Sequence, residues 1–200
     1  MEGSTRRLYS IGHSNHSLET FLSLLTANSI DVLVDSRSHP YSRYAPQFNA
    51  EMLSRALSEI GINYLFMGKE LGGRPQQEEY YDEEGHVLYS GLSRAPLFLE
   101  GIERLEKGLD KYRVALMCSE EDPAVCHRYL LVGRVLAGRG VQIQHIRGDG
   151  QLQTDEELER QIGGAKDDGQ LSLFEEPKEP AWRSLRSVLP RKRQPSSSKP

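Results

Sequence analysis

Apolar residues over most of the chain follow two alternating patterns. Short apolar runs, such as those in IDVLVDSR and YRVALMC, are typical of strands buried in a parallel sheet. Other segments carry apolar residues three or four positions apart, which predicts amphipathic helices; the first includes Leu18, Phe21, Leu22 and Leu25. Alternation of strand and helix is the pattern of βαβ units. Residues 7–147 are therefore predicted to form an α/β domain with a mostly parallel sheet and helices on both faces.

Local signals mark the ends of three predicted helices. Ser17 precedes the first helix and can cap its N-terminus through the hydroxyl oxygen. The helix in NAEMLSRALSEIG is predicted to end at Gly61, because glycine readily adopts the left-handed conformation found just past a helix. The helix in HRYLLVGRVLAGRG is predicted to end at Gly138 or Gly140 for the same reason.

The alternation ends after Gly148. Residues 148–200 are predicted to be mostly a disordered tail, with room for one short polar helix. The first part of this tail is acidic, and its end, residues 183–199, is basic. Two interpretations of the basic end stay open, a solubilising segment or an arm that binds phosphate.

Composition narrows the function class only a little. The 200 residues are 37% hydrophobic and 27% charged, with a formal net charge of −4. No apolar run approaches the roughly 18–20 residues that cross a bilayer, and none follows the N-terminal arginines as a secretory signal would require. Two cysteines suit a reducing compartment. We therefore expect a cytoplasmic protein with no membrane partner, and the charge leaves nucleic acid open as a partner.

Residues that can carry chemistry follow four of the predicted strands. The carboxyl ends of parallel strands meet at one edge of the sheet, where ligands bind in open α/β folds. In chain order, the residues at these ends are His13, Ser14 and Asn15; Asp35, Arg37 and Arg43; Gly72, Gly73 and Arg74; and Cys118, Glu120, Cys126, His127 and Arg128. The sequence therefore predicts one site at this edge.

The roles predicted within this site are catalysis and ligand binding. A reactive thiol, an acid–base histidine and assisting carboxylates are the catalytic candidates: Cys118, Cys126, His127, His13, Asp35 and Glu120. Guanidinium groups that bind phosphate, polar loop residues and glycines that allow close approach are the ligand-binding candidates: Ser14, Asn15, Arg37, Arg43, Gly72, Gly73, Arg74 and Arg128. Structural alternatives stay open, namely buried inert cysteines and an Asp35–Arg37 ion pair.

No cofactor is predicted. The two cysteines and His127 lack the close Cys–x–x–Cys type of spacing found in structural zinc sites, so no metal site is assigned. P-loop and dinucleotide-binding fingerprints are absent from the sequence, which argues against ATP and NAD. Asp35 and Glu120 are the carboxylates that would hold a divalent ion such as magnesium, as a lesser alternative.

The spaced motifs resemble a known family. IGHSN, LVDSRSHPYSR, LGGRP and MCSEEDPAVCHR, followed by HI, are similar to the motifs of the bacterial and archaeal family called domain of unknown function 488, over about residues 8–147. The resemblance implies an α/β domain and implies no reaction. It maps the family's motif residues onto His13, Ser14, Asn15, Asp35, Arg37, Arg43, Gly72, Gly73, Cys118, Glu120, Cys126, His127 and Arg128.

A looser resemblance is to rhodanese-like domains. A strand ending in DSR and a late strand–Cys–loop–helix unit follow the order found there, which implies a similar topology and thiol chemistry. The rhodanese loop is a tight glycine-containing turn, whereas three acidic residues lie between Cys118 and Arg128 here.

The tail contains QLSLF, Gln170 to Phe174, which resembles the peptide that docks bacterial DNA polymerases and repair proteins on the sliding clamp. The resemblance implies that Gln170, Leu171, Leu173 and Phe174 contact the clamp, with affinity limited to the order of micromolar by the ordering of the peptide. A chance match, or a strand that packs on the domain, is the alternative.

Three functional hypotheses follow from these observations. The first is a DNA-maintenance protein, an enzyme with an arginine-rich phosphate-binding rim and a Cys/His site, docked on the clamp. The second is a thiol-dependent sulfur-handling or redox enzyme of small molecules. The third is a non-catalytic adaptor.

Overall fold

The structure, a computed structural model, describes residues 6–164 and 182–188. Within them one sheet holds six strands in the order β3-β2-β4-β1-β5-β6. In chain order the strands are β1 (Arg7–Gly12), β2 (Val32–Asp35), β3 (Asn63–Phe66), β4 (Val114–Cys118), β5 (Gln142–Ile146) and β6 (Leu152–Thr154). Every pairing among β1–β5 is parallel, and β6 runs antiparallel to β5. The predicted α/β fold is confirmed.

Helices connect the strands. They are α1 (Leu18–Ala27), α2 (Ala50–Glu59), α3 (Gly68–Leu71), α4 (Tyr89–Leu92), α5 (Pro96–Leu109), α6 (Arg134–Ala137) and α7 (Asp155–Gly164). A π-helical stretch, Arg128–Gly133, runs directly into α6, so the segment predicted as one helix changes its winding part-way. Within the described residues, no helix is long and apolar enough to span a membrane.

Apolar side chains pack on both faces of the sheet, because successive residues of a strand point in opposite directions. Leu8 and Leu116 contribute to a cluster with α5 on one face. Tyr9 and Met117, one position further along β1 and β4, contribute to a second cluster with α1 and α2. This distribution confirms the predicted helices on both faces.

The predicted helix ends are confirmed in the structure. The Ser17 hydroxyl accepts a hydrogen bond from the Thr20 backbone N–H at 3.1 Å. Gly61 follows α2 with a φ of 77°. Beyond α6, Gly140 has the left-handed backbone, with a φ of 82°.

The folded chain continues past residue 147, where the sequence pattern placed the end of the domain. β6 extends the sheet, and α7 follows it directly. Residues 182–188 then return to the domain: the Trp182 indole N–H donates to the Leu130 carbonyl at 2.7 Å, and the Ser184 backbone N–H donates to the Val87 carbonyl at 2.9 Å. The clamp-like peptide, residues 170–174, lies outside the described residues.

The register of the central strands sets up the site. Gly12, the last residue of β1, pairs with Cys118, the last residue of β4. Asp35, the last residue of β2, pairs with Met117 of β4. The residues that follow these strands therefore emerge side by side at one edge of the sheet, as the sequence predicted.

Candidate active site

A buried ion pair lies at the end of β2. Arg37 donates from Nε and Nη2 to the two carboxylate oxygens of Asp35 at 2.9 and 2.7 Å. Nη2 also donates to the Phe48 carbonyl at 2.7 Å, and the Tyr64 hydroxyl donates to Asp35 at 2.7 Å. Asp35 is 0% exposed and Arg37 is 5% exposed. Both side chains therefore bind other groups of the protein. This is the structural ion pair that the sequence analysis left open as an alternative.

His13 belongs to the same network. Arg37 donates from Nη1 to Nε2 of His13 at 3.2 Å, and since a guanidinium only donates, Nε2 must accept. The ring hydrogen is then on Nδ1, which donates to the Ser14 carbonyl at 2.9 Å. Burial lowers the pKa of His13 to about 4, aided by the nearby charge of Arg37. His13 is therefore a neutral linker between β1 and β2, and its ring nitrogens are both occupied.

Arg128 is also turned inward. It is 1% exposed and donates from Nε to the Ser10 hydroxyl at 3.2 Å. Its other two nitrogens donate to the backbone carbonyls of Glu120 and Glu121, the latter at 2.6 Å. Gly12 allows this loop to approach β1, because a Cβ at position 12 would lie 1.8 Å from the Glu120 oxygen. Arg128 therefore fixes the loop that follows Cys118.

The two cysteines meet around one histidine. Cys118 ends β4, and Cys126 lies beyond the loop, just before His127. The Sγ atoms of Cys118 and Cys126 lie 3.6 and 3.8 Å from Nδ1 of His127. Nε2 of the same ring lies 3.2 Å from the Ser36 carbonyl. A carbonyl only accepts, so we assign the hydrogen of the neutral ring to Nε2, which leaves Nδ1 as an acceptor for a thiol proton.

Glycine makes room for this ring. A Cβ at Gly73 would lie 2.8 Å from Cγ and Nδ1 of His127, and one at Gly72 would lie 2.4 Å from the Ser38 hydroxyl oxygen. The sequence predicted that these glycines allow a ligand to approach closely. In the structure Gly73 admits the His127 ring, and Gly72 admits the Gly68 carbonyl and the Ser38 hydroxyl.

The environment separates the two thiols chemically. A hydrogen bond from Cys126 lowers the pKa of Cys118 to about 7 against the opposing effect of burial, with smaller contributions from the charge of Arg128 and the Ser119 and Glu120 backbone N–H groups. Burial, together with the neighbouring Cys118, raises the pKa of Cys126. Cys118 is therefore the more acidic thiol of the pair, and Cys126 donates a hydrogen bond to its sulfur.

A cleft of about 650 Å³ opens over this cluster. Its lining is rich in hydroxyl, imidazole and guanidinium groups, including Ser38, His39, Tyr41, Ser42, Arg74, Glu120, Cys118, Cys126, His127, Ser184 and Arg186. Residues 184–188 form one wall of the cleft, so a returning part of the tail completes it.

The match to a known family falls on the same part of the chain. The family described as Domain of unknown function DUF488 matches residues 17–135. The chain belongs to this family. No curated protein and no solved structure matches the chain. The DUF488 match covers the ion pair and the Cys/His cluster, whereas the cleft wall at residues 184–188 lies beyond it.

The DUF488 site contains only some of the residues predicted for it. Those that line the cleft are Arg37, Gly73, Arg74, Cys118, Glu120, Cys126 and His127. His13, Asp35 and Arg128 form supporting networks around it, and Arg37 belongs both to these networks and to the lining. Ser14, Asn15, Arg43 and Gly72 are outside the cleft lining, and Arg43 donates to the hydroxyl of its neighbour Tyr44 at 2.7 Å.

The predicted rim of four arginines is therefore not assembled. Arg37 borders the cleft, but Asp35, His13 and Phe48 occupy its donors, and the loop carbonyls occupy those of Arg128. Arg74 remains as an exposed guanidinium in the cleft, and Arg186 joins it from the returning segment. The Asp35 carboxylate is likewise occupied by Arg37 and Tyr64, which removes it as a partner of Glu120 for magnesium.

Sequence reasoning missed two parts of the site. One is the Ser36 carbonyl, which sets the protonation of His127 and leaves no signal in the sequence. The other is the wall formed by residues 184–188. A signal for it existed, since the chain's single tryptophan, Trp182, stands in the predicted tail directly before this wall.

Proposed function

We propose that this protein is a thiol-dependent enzyme in which Cys118 is the nucleophile and His127 is its acid–base partner. The observation that carries the proposal is the 3.6 Å contact between Sγ of Cys118 and Nδ1 of His127, with Nε2 held by the Ser36 carbonyl. A nucleophile beside a base that a third group orients is the general arrangement of covalent catalysis. The cluster opens to a polar cleft, which gives a substrate access to it.

The chemistry follows from these positions. Cys118 gives its thiol proton to Nδ1 of His127 as its sulfur attacks an electrophilic atom of the substrate. A bond forms from sulfur to that atom while the leaving group departs with its electron pair and takes the proton from Nδ1. Water then attacks the covalent intermediate, gives a proton back to Nδ1 and releases Cys118.

The cleft favours an anionic substrate. Arg74 and Arg186 supply exposed positive charge, while Glu120 supplies negative charge at the same lining. Hydroxyl groups of Ser38 and Ser42 add hydrogen-bonding partners suited to phosphate or carboxylate oxygens. Small anionic acyl electrophiles, such as acyl phosphates and thioesters that carry a carboxylate or phosphate, are therefore the class to screen, because water can hydrolyse the acyl group that they leave on sulfur.

Turnover of such a panel is the test. We expect Cys118→Ser to abolish turnover and His127→Asn to reduce it by roughly a hundredfold or more, because general acid–base catalysis contributes on that scale. His39→Asn, which changes a different histidine of the cleft lining, should retain most of the activity. Equal turnover by wild type and Cys118→Ser would refute the proposal.

A second candidate function is DNA maintenance on the sliding clamp. It rests on the QLSLF peptide and on the cleft, where Tyr41 and Tyr44 are 73% and 83% exposed near Arg74. Exposed aromatic rings beside arginine suit the stacking of bases of a single strand. In this case the Cys/His cluster would act on nucleic acid, or the protein would serve as an adaptor without catalysis. Either function fits the reducing bacterial cytoplasm, where both thiols stay free.

A further inference from the structure

The Cys118–Cys126–His127 cluster has the dimensions of a metal site. Its three ligand atoms all lie within 4.8 Å of one another, and the sulfur-to-nitrogen distances are 3.6 and 3.8 Å. In a tetrahedral zinc site with ordinary bond lengths, the edge between a sulfur and a nitrogen ligand is about 3.6 Å and that between two sulfurs is about 3.8 Å. A zinc ion would therefore need little rearrangement of these side chains.

The histidine is oriented as a metal ligand. Nε2 of His127 faces the Ser36 carbonyl at 3.2 Å, while Nδ1 faces both sulfurs. A hydrogen bond from the second ring nitrogen to a carbonyl is the usual support of a metal-bound histidine, because it fixes the tautomer and the ring plane. The close approach of Gly73 fixes the ring further.

The ligand types select the metal. Two thiolates and one imidazole favour zinc over magnesium or calcium, which take oxygen ligands. Among the described residues, the cluster contains no fourth histidine, cysteine or carboxylate. All three ligands line the cleft, so the fourth position would face solvent or substrate.

We propose that Cys118, Cys126 and His127 form a three-ligand Zn²⁺ site whose fourth position is open to the cleft. Because zinc would take both sulfurs, the metal-bound and the metal-free protein are alternative states of one cluster. Metal binding then withdraws the nucleophile, so zinc is a reversible inhibitor of the thiol site. This last step rests on the proposed function, whereas the binding of zinc does not.

The described residues contain one other group that could hold a metal, formed by Asp82, Glu84 and His86. Arg183 already pairs with the carboxylates of Asp82 and Glu84, which offsets part of the negative charge that would attract a cation. This group therefore serves as an internal control for adventitious binding.

The experiment is a titration of metal-stripped, reduced full-length protein with Zn²⁺ against a chromogenic chelator, repeated with Co²⁺ as a spectroscopic probe. We expect one high-affinity equivalent, tetrahedral cobalt bands in the visible spectrum and a sulfur-to-cobalt charge-transfer band. Cys118→Ser, Cys126→Ser and His127→Ala should each weaken binding by roughly a hundredfold or more, because they remove a ligand, whereas loss of a group that only supports a ligand costs about 10–100-fold. His86→Ala should bind as the wild type does.

Two results would overturn the site. One is the absence of a sulfur-to-cobalt charge-transfer band in the wild type, a result that does not depend on any variant folding. The other is loss of binding in His86→Ala while both cysteine variants still bind. Alkylation of Cys118 by iodoacetamide, with and without one equivalent of Zn²⁺, separates the two proposals. Reactivity without zinc binding would reject the zinc site alone. Zinc binding to a protein whose Cys118 is inert after metal removal would reject the thiol enzyme alone.

Discussion

Gly73 and His127 are in such close contact that a single methyl group would separate them, since a Cβ at position 73 would lie 2.8 Å from Nδ1. We expect Gly73→Ala to displace the ring from the two sulfurs, to slow alkylation of Cys118 and to cost about 1–3 kcal/mol of stability through overpacking. Gly91→Ala is the matched control, because its nearest neighbour, on Tyr80, would be 3.6 Å away. Equal alkylation rates in the two variants would show that His127 does not act on Cys118.

The Asp35–Arg37 pair should dominate stability near the site. Asp35→Asn leaves a buried guanidinium without its counter-charge, and we expect a loss on the order of 3 kcal/mol in the free energy of unfolding. Glu51→Gln removes an exposed partner of Arg55 and should change stability by less than about 1 kcal/mol. Urea unfolding measures both, and similar losses in the two variants would contradict this assignment.

The neutral state of His13 should make stability depend on pH. Its pKa is about 4 in the folded protein, below the ordinary value of 6.5, so the unfolded chain binds a proton more readily between these values. Stability is therefore full above pH 6.5 and falls as the pH drops towards 4, by about 2 kcal/mol at pH 5.

His13→Gln keeps an acceptor for Arg37 but does not titrate. We expect the free energy of unfolding of this variant, measured in urea at pH 7.5 and pH 5, to fall less with acidification than that of the wild type. The same pH dependence in both proteins would show that His13 is not the group responsible.

The returning segment should depend on Trp182. Its indole lies under the guanidinium of Arg134, 4.6 Å from ring centroid to Cζ, and donates to the Leu130 carbonyl. We expect Trp182→Ala to release residues 182–188, which exposes the Val87 N–H that now donates to the Ser184 hydroxyl at 2.9 Å. Hydrogen exchange of the peptide containing Val87 should accelerate, while Leu185→Ala, at a side chain 59% exposed, should leave it slow.

Docking on the sliding clamp is tested by calorimetry with a bacterial clamp. We expect micromolar affinity, on the order typical of short peptides that fold on binding, and its loss in a Leu173→Ala/Phe174→Ala variant. Leu97→Ala changes an exposed leucine elsewhere in the chain and should bind normally. An absence of wild-type binding would leave the cleft chemistry as the basis for function.

The spacing of apolar residues and the residue types at helix ends were enough to predict most of the secondary structure. The period of the apolar residues placed β1–β5 and the longer helices, because burial on a sheet face or a helix stripe imposes it directly on the sequence. Ser17 and Gly61 marked helix ends through interactions within a few residues. The strand ends then predicted where chemistry gathers, since parallel strands share one carboxyl edge. β6 was not predicted, because a three-residue edge strand carries too few side chains to show a period.

Only the tertiary structure decided which polar residues face the cleft. Arg37, Arg74 and Arg128 all follow predicted strands, so the sequence does not distinguish them. In the structure Arg37 donates to the Phe48 carbonyl, and Arg128 donates to the carbonyls of Glu120 and Glu121. Cys118 and Cys126 lack the spacing of a zinc site, yet the loop between them brings both sulfurs to His127. Whether a buried arginine side chain binds a ligand or the backbone carbonyls of its own protein depends on which acceptors the fold brings near it from distant positions. The pattern of residues along the chain does not encode those contacts.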